Sequence, residues 1–131
     1  MGNVNAKSAK RFDILEEQLL TQYDEMDKLS KKKPDGALNE FKISIVNQLL
    51  SELNKYLFED YRPISEFSEF SIEIIPSASD VIFVLAQYKR ALEEFRYENT
   101  IIDGVGTYWK LGNNKEGPPT KRSRLNRLRD R

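Results

Sequence analysis

The densest run of chemically capable side chains lies at the end of this sequence. Lys121, Arg122, Arg124, Arg127, Arg129 and Arg131 follow the pair Pro118 and Pro119, and from residue 121 onward arginine outnumbers lysine five to one. Arginine presents a planar fork that grips phosphate or carboxylate through two parallel hydrogen bonds, and it is less strongly hydrated than lysine. Leu125 and Leu128 stand three apart within the run, a spacing that suits a short basic helix laid on an acidic groove or on a nucleic acid. Binding to phosphates would make affinity fall steeply with salt. The same run equally suits a solubilising end, or an arm folded back on an acidic body. The last reading has electrostatic support. Residues 115–131 hold seven basic groups against Glu116 and Asp130, a net of +5, so the first 114 residues carry −5 in a chain of zero formal charge.

Just before the run stand Tyr108 and Trp109, the latter the single tryptophan. Two adjacent rings beside a basic arm could stack on bases or anchor a protein interface. Alternating positions of a strand would instead turn one ring into the core. The expected partner-binding or nucleic-acid-binding set is therefore Lys121, Arg122, Arg124, Arg127, Arg129, Arg131, Tyr108 and Trp109.

Catalysis has little to work with. The chain holds neither histidine nor cysteine. That removes the usual general base at neutral pH, thiolate nucleophiles, thiolate metal sites, HExxH helices and Ser-His-Asp triads. Metal-dependent hydrolysis by carboxylates would need them to converge. Asp13 with Glu16 and Glu17, Glu59 with Asp60, and Glu93 with Glu94 instead sit at polar helical positions or helix ends. Gly104 and Gly106 form a lone G-x-G with neither a third glycine nor a following helix, too little for a phosphate loop. No cofactor or metal is expected. The opening Met1-Gly2-Asn3-Val4-Asn5-Ala6 approaches a myristoylation pattern but has Ala6 where serine or threonine is preferred.

These residues must be positioned by a single domain of ordinary size, since the chain has 131 residues. No run approaches eighteen apolar residues and no apolar leader opens the chain, so a cytoplasmic protein without a transmembrane segment is expected. Residues 1–7 read as disordered, 8–111 as one folded domain, and 112–131 as a flexible Arg-rich tail. Phe12, Leu15, Leu19, Met26 and Leu29 set a heptad-like seam for a first helix, closed by Lys31, Lys32 and Lys33 and stopped by Pro34. Leu20 and Tyr23 lie beside that seam and Ile14 away from it, so the helix could also pair with a second copy.

Asp35 is the expected N-cap of a second helix, whose stripe runs Leu38, Phe41, Ile45, Leu49, Leu53 and Tyr56, widened by Val46, Leu50 and Leu57. A stripe that broad faces two neighbours, which makes this helix the expected centre of the core. The alternation Phe70, Ile72, Ile74 predicts a short strand. Ser77 or Ser79 caps a third helix, with Val81, Val84, Leu85, Tyr88, Leu92 and Phe95 on one face. Asp103-Gly104 then predicts a type I′ turn between two strands. The fold class is mainly α: a three-helix core built on an αα-hairpin, with a small β-hairpin near the C-terminus and a disordered basic tail. The expected function is a non-catalytic interaction protein, an adaptor or small subunit of a larger assembly that binds a protein partner through helical faces and the tail. The alternative is a nucleic-acid-binding accessory whose tail contacts phosphates.

Overall fold

The computed structural model describes residues 4–33, 35, 38–57, 61–112 and 115–129. It is mainly α, with α1 (Ala6–Lys32), α2 (Glu40–Tyr56), α3 (Ala78–Glu98) and a short α4 (Arg124–Arg129), together with β1 (Thr100–Asp103), β2 (Gly106–Lys110) and β3 (Glu116–Pro119). The strands form one antiparallel sheet in the order β1-β2-β3. No helix among the described residues is long and apolar enough to cross a membrane.

α1 begins two residues earlier than its hydrophobic pattern suggests, and residues 4 and 5 are already placed. Asn5 accepts from the Ser8 amide while the Ser8 hydroxyl accepts from the Asn5 amide, a reciprocal capping box. Val4 packs against the core, and its carbonyl accepts from the Gly112 amide. A polar cap carries no hydrophobic period, which is why the expectation of disorder through residue 7 fails at this point. Phe12, Leu15, Leu19 and Met26 are all buried inside the one chain. α1, not α2, is the shared element of the core, packing against α3, α2 and β3.

α2 is capped by Asn39 rather than Asp35, with the Asn39 side chain accepting from the Lys42 amide at 2.8 Å. Its buried face is Ile43, Val46, Leu49, Leu50, Leu53 and Leu57. That face is rotated from the expected stripe. Only Leu49 and Leu53 of that stripe are fully buried, while Phe41 is 73% and Ile45 41% exposed. α2 and α3 meet through a Tyr88 hydroxyl that donates to Asn54 at 2.7 Å. Burial raises the Tyr88 pKa, against opposing contributions from Asn54 and Arg62.

Residues 70–75 are not a strand, although they alternate like one. The Asn47 side chain donates to the Phe70 carbonyl and accepts from its amide, both at 2.8 Å, taking the groups a neighbouring strand would use. The Ser71 hydroxyl accepts from the Glu73 and Ile74 amides, each at 3.1 Å, and bends the chain there. The third strand comes instead from residues 116–119. The turn between β1 and β2 is also displaced by one residue: Asp103 pairs with Gly106, leaving Gly104 and Val105 as the loop. Of these two loop residues only Gly104 has positive φ, at 64°, the pattern of a II′ turn rather than I′.

Candidate functional site

The C-terminal arm differs most from its expectation. Pro118 and Pro119 lie in an edge strand, where a missing N–H is tolerated. The ladder resumes after them, since the Thr120 amide donates to the Thr107 carbonyl at 2.9 Å. Gly117 lets β3 approach closely: a Cβ there would sit 2.9 Å from the Trp109 carbonyl oxygen. Beyond the strand, Ser123, Leu125 and Asn126 are buried. The Ser123 hydroxyl donates to the Glu93 carbonyl at 2.8 Å, and the Arg124 amide donates to the Glu93 carboxylate at 2.8 Å. Residues 115–129 thus lie back on the acidic body.

One buried cation organises that attachment. Arg96 of α3 is wholly buried, and one guanidinium nitrogen donates to Asp13 at 2.9 Å and to Glu16 at 2.6 Å. Its other terminal nitrogen donates to the Thr120 hydroxyl and, at 3.1 Å, to the Lys121 carbonyl. The Thr120 hydroxyl in turn donates a hydrogen bond to Asp13 at 2.8 Å, and the Trp109 indole donates to the second Asp13 oxygen at 3.2 Å. Lys121 completes the group with Nζ 2.9 Å from Glu16 and 3.4 Å from Glu17. Partial burial pulls the Lys121 pKa down, but Glu16 and Glu17 together outweigh it, so the net shift is upward. Asp13, Glu16 and Glu17 were visible as a carboxylate group in the sequence. Arg96 was not, because its place among charged helical residues gave no hint of burial.

The eight expected contact residues separate accordingly. Lys121 is engaged internally. Trp109 is fully buried, with Phe12 edge-on at 5.1 Å between ring centroids and the Arg96 guanidinium 5.0 Å away. Its ring is therefore core and closed to a base. Thr107 and Trp109 point inward, and Tyr108 between them is half-buried. Arg122 and Arg124 are exposed. Arg127 and Arg129 belong to α4, and Arg131 lies outside the described residues.

A second surface was not anticipated. Phe41 and Ile45 stand one turn apart on the outer side of α2. Residues 70–76 run back along the same helix, held by Asn47 at one end and by the Leu38 amide on the Pro76 carbonyl at the other. That strap carries Ile72 at 48% and Ile74 at 82% exposure. Between strap and helix lies an open groove of about 450 Å³, bordered by Ser44, Gln48, Ser51, Phe70, Ile72 and Glu73. A second groove, of about 290 Å³, runs on the other side of Ile45 and Gln48, against Arg11, Gln18 and Gln22 of α1. The buried Gln22 side-chain oxygen has no hydrogen-bond partner. The signal for this surface was the width of the α2 stripe. Its apolar groups exceed what the core covers.

The chain matches no family model, no curated protein and no solved structure.

Proposed function

We propose that this protein is a non-catalytic interaction protein, an adaptor or small subunit of a larger assembly, and that it binds a protein partner through the outer face of α2. The observation that carries this reading is the apolar group Phe41, Ile45, Ile72 and Ile74, left in water beside two grooves by a helix whose other face is fully packed. The α1–α2 pair acts as an αα-hairpin that holds this face rigid, since α2 buries five apolar side chains against the core and its C-cap Leu57 a sixth. Large exposed apolar groups gathered on one surface mark contact sites more often than singly scattered ones do. Covering Phe41 and Ile74 alone would return on the order of 1–2 kcal/mol each. The same reading places the protein in the cytoplasm, within a complex.

The test is photo-crosslinking in the native cell, with a crosslinking amino acid at position 44 beside the exposed ridge. A single protein partner should be captured, and it should disappear when Phe41→Ser and Ile45→Ser are combined while thermal stability is unchanged. Capture that ignores both substitutions would overturn the reading.

A second reading, nucleic-acid binding by the arm, is favoured by one observation: Arg122 and Arg124 remain exposed although Lys121 is paired. Binding of a labelled single-stranded oligonucleotide should then fall about linearly on a log-log salt plot, and Arg122→Ala with Arg124→Ala should flatten the slope by about 1.4. An unchanged slope would remove that reading.

A further inference from the structure

We infer that the groove between α2 and the strap takes an apolar segment flanked by lysine or arginine, with the basic groups lying on the strap; this rests on the reading of α2 as the docking face. Three observations select that chemistry. The first is shape and polarity: Phe70 and Ile72 line the groove, and the exposed Phe41 and Ile45 of the helix and Ile74 of the strap stand outside it. The second is charge. Residues 64–75 contain Glu66, Glu69 and Glu73 and no basic residue, and all three glutamates are exposed. None of them forms an ion pair among the described residues, whereas Glu52 on α2 is already paired with Lys55. Glu69 and Glu73 line the groove and Glu66 precedes them in the chain, and an acidic strip so placed attracts a cationic partner and repels an anionic one.

The third observation concerns hydrogen bonding. Ser44, Gln48 and Ser51 border the groove with polar groups that need counterparts in the bound segment. The strap itself does not present a free strand edge. Asn47 already holds the Phe70 amide and carbonyl, and Ser71 holds the amides of Glu73 and Ile74. Addition of a β-strand is therefore disfavoured, and a helix laid by its apolar stripe is the fitting form.

Other occupants fit less well. A second copy would bring the same three glutamates against themselves. The chain's own basic helix is committed elsewhere, with Leu125 buried and the Arg124 amide on Glu93.

The experiment uses the full chain and fluorescein-labelled 18-residue model peptides that share one leucine stripe at helical spacing. One carries lysine at the flanking positions, one glutamate, and a third keeps the lysines but replaces leucine by serine. Anisotropy titrations should show the lysine–leucine peptide binding at least tenfold more tightly than either control. Glu66→Gln, Glu69→Gln and Glu73→Gln together should weaken it about tenfold at low salt, and less at high salt. Phe41→Ser with Ile45→Ser should weaken it similarly at both. All substituted positions are exposed, and an unchanged melting temperature verifies the fold. Equal binding of the glutamate peptide, or insensitivity to either set of substitutions, overturns the inference. So does a dimer in sedimentation equilibrium that Phe41→Ser dissolves, which assigns the face to a second copy. Failure here, with in-cell crosslinking at position 44 intact, removes the partner chemistry and leaves the docking face standing. Loss of both removes the docking face as well.

Discussion

Replacing Arg96 by methionine isolates the attachment of the C-terminal arm. The substitution keeps an unbranched chain of comparable reach against Phe12 and Trp109, which the guanidinium overlies at 5.5 and 5.0 Å. It removes the donors that join Asp13, Glu16, Thr120 and the Lys121 carbonyl. Glu16 is then left 3% exposed with only Lys121 to balance it. Breaking one partner out of a buried ion pair costs about 3–5 kcal/mol, because the remaining charge stays desolvated. Asp13 lies partly in water and Lys121 remains, so the lower part of that range, about 3 kcal/mol, is expected here. At about 2.1 cal/mol/K of unfolding entropy per residue, a 131-residue chain should lose roughly 11 °C in Tm.

The assay is thermal and urea unfolding followed by the fluorescence of Trp109, the single tryptophan, alongside limited trypsin digestion read at Lys121 and Arg122. Arg96→Met should both melt early and be cut in the arm while the body is still folded. Arg90→Met, an exposed position on the same helix, supplies the control and should stay within about 0.5 kcal/mol. A cost below 1 kcal/mol for Arg96→Met, with trypsin cutting no faster than in the parent protein, would refute the idea that this cation organises the arm.

Asn47→Ala should cost about 2–3 kcal/mol in urea unfolding and speed hydrogen exchange at the Phe70 amide, because two hydrogen bonds to the strap vanish at once. Gly117→Ala should loosen β3 through its clash with the Trp109 carbonyl, seen as faster trypsin cleavage after Lys121 and about 1–2 kcal/mol of lost stability. Alkaline pH should weaken the fold. Tyr88 and Lys121 both have folded pKa values raised above their unfolded ones, so each stabilises fully below the unfolded value near 10 and loses that contribution as pH climbs through the folded value. A urea midpoint that holds constant from pH 8 to pH 9.5 and falls beyond pH 10 would bear this out, and one that rises there would contradict it. Tyr88→Phe should reduce the fall.

The helical character of this protein, and the course of its long helices, can be read from the order of its residues alone. Period-3.6 burial needs only local information: Phe12, Leu15, Leu19 and Met26 fall on one side of α1 whatever they later meet, and Val81, Leu85, Tyr88 and Leu92 do the same on α3. The position of a turn was readable at Asp103-Gly104 for the same reason, although the pairing partner of Asp103 selected the turn type. The opposite charges of body and tail were readable as composition, and folding back was one of the uses foreseen for them.

Features that depend on which surfaces meet are settled only when the chain folds. α2 carries apolar side chains on more than half its circumference, and only its packing against α1 chose Ile43 and Val46 for the core over Phe41 and Ile45. The strand pattern of residues 70–75 failed because Asn47, 23 positions away from Phe70, supplied the hydrogen bonds a sheet would have offered. Arg96 looked like one more solvated charge on α3. It is buried because Asp13 and Glu16, 83 and 80 positions earlier, and Thr120, 24 positions later, arrive at the same point. Local patterns record how a segment could bury its groups; which groups are buried depends on partners that only the folded chain brings together.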